Sequence, residues 1–188
     1  MEIKKILLKN NYMDASNSVD NIIINSENKN LNTIFNLYFH DPNSYNWEKE
    51  SYKKLCKIST IHEYWILNHL LSQKIHLGMF FLMRNEIFPL WDNEDNKNGC
   101  SFSFKILKKE SIIYWNKICI LILSENFLKK EHMLLWNKIN GLSISPKKNF
   151  CIIKIWLKEK NIFDENNIYE YFNIPKEYSG DIIFKDHM

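Results

Sequence analysis

Strands are predicted where apolar and polar residues alternate with a period of two. The stretch IFNLYFH places Phe35, Leu37 and Phe39 on one face of a strand. The stretches GMFFLMRN and CSFSFKIL also have the character of strands, and GLSISPKKNFCIIKIWLK predicts two strands joined by a turn at residues 146–149. The short stretch DIIF is compatible with a last strand.

Helices are predicted where apolar residues recur three and four positions apart. The stretch TIHEYWILNHLL has this period, and Thr60 with Glu63 three residues later forms a capping box at its start. The stretch SIIYWNKICILILSEN predicts a second helix, with Ser111 as its cap. The stretch DENNIYEYF predicts a third helix that begins at Asp164 and ends at the following Asn and Pro.

The strands and helices mix along one segment, residues 31–188, and hairpin-like connections link the strands. This order predicts one domain of the α+β class, a curved antiparallel sheet with helices on one face. Residues 1–30 are dominated by Asn, Ser and Asp, so we expect a poorly ordered N-terminal tail.

The first predicted helix carries two apolar stripes. Tyr64, Leu67 and Leu71 form the stripe that should face the sheet, while Ile61 and Trp65, four residues apart, form another. The second stripe is either part of a wide buried face or an exposed patch that docks a partner helix. The pattern alone favours burial.

Composition limits the class of protein. With 188 residues, 45% of them hydrophobic, the chain can bury a core, and its net charge of +3 is too small to bind a polyanion by bulk electrostatics. Its four cysteines are scattered without a C-x-x-C pair, which predicts reduced thiols. No apolar run reaches the ~18 residues of a membrane span. We expect a cytoplasmic protein without membrane contact, and the heavy use of Asn, Ile and Lys is typical of AT-rich genomes, such as those of some protists and large DNA viruses.

Two tryptophans occupy loop positions. Trp47 follows the turn-rich stretch HDPNSYN, and Trp91 precedes DNEDNKNG. Each indole either caps an end of the sheet or stays exposed to stack on a planar ligand, and the two interpretations are evenly balanced. Asp92 follows Trp91, and its carboxylate could accept two adjacent hydrogen bonds, as from the edge of guanine, although a lone loop acid is more often solvated.

Lysines surround the predicted hairpin that leads to Trp156. Lys147, Lys148 and Lys154 could hold a phosphate chain, or they could be ordinary solvated lysines. The six histidines have no metal-ligand spacing, and the chain contains no Gly-rich phosphate loop and no G-x-S-x-G motif. The sequence therefore predicts a protein that is not an enzyme and needs no cofactor or metal.

These pieces, in this order, resemble the eukaryotic translation initiation factor 4E family, whose members bind the 7-methylguanosine cap of messenger RNA. The resemblance covers residues from about Asn32 to His187 and rests on NLYFHDPNSYNW, TIHEYWILNHL and, most specifically, IFPLWDNEDNKNG. The stretches YWNKICILILSE and CIIKIWLKEKN follow at matching spacings. The resemblance implies a cupped antiparallel sheet with three helices on its convex face.

The resemblance also implies roles in base binding. Trp47 and Trp91 would hold the methylated guanine between them, and Trp156 would lie beside the N7-methyl group. Asp92 would accept hydrogen bonds from the guanine N1–H and N2–H, although the family has Glu at this position, one methylene longer.

The implied phosphate site departs from the family. Lys147 takes the place of the family's main Arg, so a planar fork is replaced by a point charge. Two other family lysines fall on Asn149 and Ile152. Lys148 or Lys154 would substitute for them, since Lys154 alternates onto the same side of its strand as Trp156.

The implied partner is a scaffold protein of the 4G type, bound on the convex helical face. Ile61, Trp65 and Ile120 match the partner-binding positions of the family. Asn116 and Lys117 replace a Leu and a Glu, so the local charge is inverted.

The resulting expectation is a monomer that binds capped messenger RNA and recruits a scaffold for translation initiation. Two alternatives stay open at the level of sequence. One is a translational repressor with the same pocket, and the other is an interaction module that has kept the fold and lost the cap. An enzyme that acts on caps is a more remote third alternative.

Overall fold

A computed structural model of the protein describes residues 30–72, 74–174 and 182–187. The predicted N-terminal tail lies outside the described residues except for Asn30, which opens the first strand. Within the described ranges no helix is both long enough and apolar enough to cross a lipid bilayer.

The described part of the chain forms a seven-stranded, curved antiparallel sheet. The strand order is β2-β1-β3-β5-β6-β4-β7, so β2 and β7 are the two edges. The strands are β1 (Asn30–His40), β2 (Tyr52–Thr60), β3 (Met79–Arg84), β4 (Cys100–Leu107), β5 (Ile139–Pro146), β6 (Phe150–Leu157) and β7 (Ile183–Asp186).

Three α-helices accompany the described sheet: α1 (Ile61–Leu71), α2 (Ser111–Leu123) and the single turn α3 (Ile168–Tyr171). The predicted capping box at the start of α1 is confirmed, because the Thr60 hydroxyl accepts from the Glu63 N–H and the Glu63 carboxylate accepts from the Thr60 N–H. Shorter 3-10 segments lie at Lys49–Ser51, Lys108–Glu110, Lys130–Lys138 and Glu165–Asn167.

Alternation along the strands gives the sheet two apolar faces. The larger core lies under the helices, on the convex face, and confirms the predicted α+β architecture. A smaller core lies on the opposite, concave face and is formed by Tyr38, Tyr52, Phe81, Met83 and Trp156. Neighbouring residues of one strand therefore serve different faces. Members of the larger core include Phe35, Leu37, Leu82, Phe102, Trp115 and Ile155.

Some predicted element boundaries are wrong. Ser111 is the first residue of α2 rather than its cap, because its hydroxyl donates to the Lys108 carbonyl instead of accepting from the next turn. The third helix is a 3-10 turn capped by Asp164 followed by one α-turn. The last strand begins at Ile183, two residues later than DIIF predicts.

Candidate functional site

Trp47 lies in the loop between β1 and β2 and is held by a buried histidine. The Trp47 and His40 rings stack with a centroid separation of 4.2 Å and an interplanar angle of 6°. The His40 Nε2 atom is hydrogen-bonded to the Asn46 carbonyl at 2.8 Å, which fixes the imidazole plane. Because 47% of Trp47 stays exposed, the indole is positioned from one side and accessible from the solvent.

Trp91 begins a loop that is held in shape by one buried amide. The Asn96 side chain donates to the carbonyls of Phe88 and Leu90, both at 2.8 Å. Its oxygen accepts from the Asn140 side-chain amide of β5 at 2.9 Å. These bonds fix the backbone on the N-terminal side of Trp91, whose side chain is 48% exposed.

The same loop is closed against the sheet at its end. The Asn96 carbonyl accepts from the Gly99 N–H at 2.8 Å and is hydrogen-bonded to His187 Nδ1 at 2.8 Å. A Cβ atom on Gly99 would lie 2.0 Å from the Leu157 carbonyl oxygen, so only glycine allows this close approach. The Trp91 loop is therefore packed on β6 and clamped by the residue that follows β7.

Tyr52 of the concave core connects the two tryptophan loops. Its ring lies 4.7 Å from that of His40 and 5.4 Å from that of Phe88, measured between centroids. Burial and, second, the negative charge of Asp92 raise the pKa of Tyr52 to about 12. Asp92, itself exposed, therefore lies close to the side chain that packs on the support of Trp47.

Lysine ammonium groups collect beside Trp91. The Lys154 Nζ lies 5.9 Å from the centroid of Trp91 and 5.5 Å from that of Trp156, and the Lys185 Nζ lies 4.8 Å from that of Trp91. Burial lowers the pKa of Lys154, and the positive charges of Lys185 and Lys147 lower it further. The three ammonium groups thus form a basic cluster, defined here as Lys147, Lys154 and Lys185.

The basic cluster is not neutralised by the described carboxylates. The ion pairs of the described residues join Glu86, Glu94, Glu159 and Asp186 to lysines outside the cluster. Asp186 is the neighbour of Lys185 in sequence, but it pairs with Lys160 at 3.1 Å. Concentrated like charge of this kind attracts anions.

Trp156 is the least accessible of the residues assigned to the ligand. Only 1% of it is exposed, and its indole N–H donates to the Ser143 hydroxyl at 3.0 Å. Its ring packs against Phe81 at 6.2 Å and His187 at 5.1 Å between centroids. Contact with a ligand would require a neighbour to move, so its placement beside an N7-methyl group stays a prediction.

The two remaining lysines predicted for phosphate binding lie at the hairpin between β5 and β6, where both Lys147 and Lys148 are exposed. The carbonyl of Lys147 accepts from the Lys108 ammonium at 3.1 Å, which holds the turn. Of these two lysines, Lys147 is the one whose positive charge lowers the pKa of Lys154.

The convex face carries an apolar surface outside the core. Trp65 on α1 is 52% exposed, so the pattern-based expectation of burial is wrong for this residue, while Ile61 is half-buried. Ile113 and Ile120 are exposed on α2. Ile61 also lines a shallow cleft with Leu31 at the start of β1 and Leu123 at the end of α2.

Polar residues border this surface on α2. The Asn116 side-chain oxygen accepts from the Tyr64 hydroxyl at 3.4 Å, which joins α1 to α2. The Lys117 ammonium is exposed and lies 5.7 Å from the centroid of Tyr114.

Five residues that support or border the candidate site were not predicted from the sequence: His40, Tyr52, Asn96, Lys185 and His187. The contact that identifies Asn96 as structural joins it to Asn140, 44 residues away in sequence. His40 and Tyr52 are identified by how their rings pack in the folded chain, for which the sequence contains no motif. Lys185 had a usable signal, because alternation in a strand that begins at Ile183 sends it to the face opposite Phe184.

The fold of this chain is similar to the folds of three solved eIF4E structures. Ascaris suum eIF4E-3, solved with the m7G cap, matches with a TM-score of 0.70 and 17% identity, over 86% of this chain and 93% of that one. C. elegans eIF4E-3, solved with the 4E-binding protein Mextli and a cap analog, matches with a TM-score of 0.71 and 15% identity, over 86% and 94%. Schistosome eIF4E, solved with m7GpppG and 4E-BP, matches with a TM-score of 0.69 and 20% identity, over 85% and 89%.

The sequence comparisons identify the family. The curated eukaryotic translation initiation factor 4E of Eremothecium gossypii is 22% identical over 136 residues, which are 68% of this chain and 62% of that protein. The match thus spans about six-tenths of the length of this relative. The family profile described as Eukaryotic initiation factor 4E matches residues 30–187, and the chain belongs to this family.

Proposed function

We propose that this protein binds the 7-methylguanosine cap of messenger RNA and catalyses no reaction. The observation that carries the proposal is the convergence of two half-exposed indoles, an exposed acid and an unneutralised basic cluster on one side of the sheet. The relatives solved with m7G cap and m7GpppG support the same ligand.

Each part of the site suits one part of the cap. Methylation at N7 gives the guanine ring a positive charge, which the electron-rich faces of Trp47 and Trp91 attract more strongly than a neutral ring. Asp92 accepts from the N1–H and N2–H of the base. Lys147 and Lys154 face the triphosphate, with Lys148 at the hairpin turn beside them.

Titration of intrinsic tryptophan fluorescence tests the proposal. We expect 7-methyl-GTP to quench emission at lower concentration than GTP, because only the methylated base is cationic. Either Trp47→Ala or Trp91→Ala should reduce cap affinity by about 1–3 kcal/mol, the usual contribution of one stacking contact. Trp65→Ala is the matched control, because it removes an indole of similar exposure from the opposite face. Equal affinity for the two nucleotides would contradict cap binding.

We also propose that the convex surface binds an amphipathic helix of a 4G-type scaffold. The protein would act as a monomer in the cytoplasm, or in the host cytoplasm if its gene is viral. The exposed Trp65 on α1, together with the half-buried Ile61 and the exposed Ile113 and Ile120 of α2, offers the apolar surface that such a helix needs. Two of the structural relatives were solved with proteins named as 4E-binding. Trp65→Ala should abolish capture of a scaffold peptide on cap-loaded protein and leave cap affinity unchanged.

The charge of Lys117 favours a second candidate function, a cap-binding repressor. A scaffold selected to meet an acid at this position would meet an ammonium group instead. Cap binding without capture of any 4G-type scaffold would support the repressor, and capture of such a scaffold would exclude it.

A further inference from the structure

We propose that Lys185 competes intramolecularly for Trp91: its ammonium occupies the indole in the free protein, and the cationic base of the cap displaces it towards the phosphates. The inference rests on the proposed cap binding and adds a cause for the preference for a methylated base. It also assigns a role to a residue outside the predicted site.

The position of Lys185 is fixed by the pairing of the last strand. In β7 it lies opposite Ser101 of β4, and Ser101 in turn lies opposite Trp156 of β6. Residues directly opposite one another share a face, so the Lys185 side chain is on the concave face. The 4.8 Å distance from its Nζ to the Trp91 centroid is within the range of a cation–π contact.

The alternation of the strand also separates Lys185 from its nearest acid. Asp186 points to the other side and pairs with Lys160 at 3.1 Å. Lys185 is therefore left with Trp91 on one side and the like charges of the basic cluster on the other. Among the described residues, the Trp91 indole therefore provides the favourable contact for the Lys185 ammonium group.

Because of this arrangement, binding of the base and binding of the phosphates depend on each other. A neutral base that stacks on Trp91 removes the cation–π contact of Lys185 without replacing it, whereas a methylated base replaces one cation by another. The displaced ammonium moves towards Lys154, where repulsion opposes it until a phosphate chain neutralises the cluster. A base without phosphates should therefore bind weakly, and the triphosphate should gain more than charge attraction alone provides.

Substitution of Lys185 by methionine separates competition from simple phosphate binding. For Lys185→Met we expect affinity for the 7-methylguanosine nucleoside to rise about two- to fivefold, the range of an exposed cation–π contact. Affinity for 7-methyl-GTP should fall, and the ratio of affinities for 7-methyl-GTP and GTP should narrow. A lysine that only contacts phosphate would leave the nucleoside affinity unchanged.

Lys53→Met is the matched control, because it makes the same change at the opposite edge strand. Lys53 lies opposite Phe39, which packs against the core under the helices, so it is on the other face. It should change none of the three affinities.

The contact between Lys185 and Trp91 in the protein without ligand can be measured separately. In the protein without ligand, the ring current of Trp91 should shift the Lys185 side-chain protons upfield in NMR spectra, and Trp91→Ala should abolish the shift. Unchanged nucleoside affinity in Lys185→Met, or the absence of this shift, overturns the inference while cap binding by the wild type stands. Failure of the wild type to bind any cap analogue refutes the proposed function, and the competition with it.

Discussion

Replacement of Asn96 by alanine should weaken both the fold and the placement of Trp91. The Asn96 side chain makes three hydrogen bonds in a buried position, to the Phe88 and Leu90 carbonyls and from the Asn140 amide. At about 0.5–1.5 kcal/mol each, their loss amounts to about 1.5–4.5 kcal/mol. The Asn140 amide keeps a second acceptor, the Asp95 carbonyl at 2.8 Å. We therefore expect the free energy of unfolding to fall by about 2–3 kcal/mol.

Urea unfolding followed by circular dichroism measures this loss, and Asn98→Ala is the matched control. Asn98 is in the same loop, but it is exposed, so its truncation should change stability by less than about 0.5 kcal/mol. Cap titration should show a larger loss of affinity for Asn96→Ala than for Asn98→Ala, measured where both proteins are folded. If the two variants are equally stable, the Asn96 side chain does not hold the loop.

Three further predictions concern the two faces of the sheet. Asp92→Asn should weaken cap binding sharply in a fluorescence titration, because the amide N–H of Asn would face an N–H donor of the guanine. Restored or improved cap affinity in Asp92→Glu would mean that the loop is placed as in the family. Lys117→Glu should improve capture of a conventional scaffold peptide and weaken that of a partner with an acid at this point; unchanged capture of both would refute the charge argument. Burial lowers the pKa of His187 below its ordinary value of 6.5, so the unfolded chain binds the proton first and stability should fall as the pH drops below about 6.5. Urea unfolding across this range should give a flatter pH profile for His187→Gln, and an identical profile would contradict the assignment.

The sequence predicts the parts of the site that depend on local chemistry. An indole among Asn, Asp and Gly residues is easily recognised as a loop residue, and both Trp47 and Trp91 are half-exposed. The alternation around Lys154 correctly predicts that it shares a face with Trp156. These features follow from neighbours in sequence, which is the information that a period of two provides.

The missed features depend on contacts between distant segments. The burial of Asn96 follows from Asn140, 44 residues away in sequence, and no local pattern marks either amide as structural. The 52% exposure of Trp65 depends on how α1 packs in the folded chain, and the helix period does not contain that information. The 3-10 segment Lys130–Lys138 has no period that separates it from a loop.

The two apolar faces of the sheet also determine which mutations the protein can tolerate. Alternate residues of each central strand form two surfaces, one that packs against the helices and one on the concave face that we propose binds the cap. A substitution changes one residue on one surface. Insertion or deletion of a single residue within β6, in contrast, would move the side chain of every later residue of the strand to the opposite face of the sheet. Trp156 and Lys154 would then enter the helical core, and Ile153 and Ile155 would lie on the concave face. We therefore expect the lengths of the central strands to be far less tolerant of change than the residues within them.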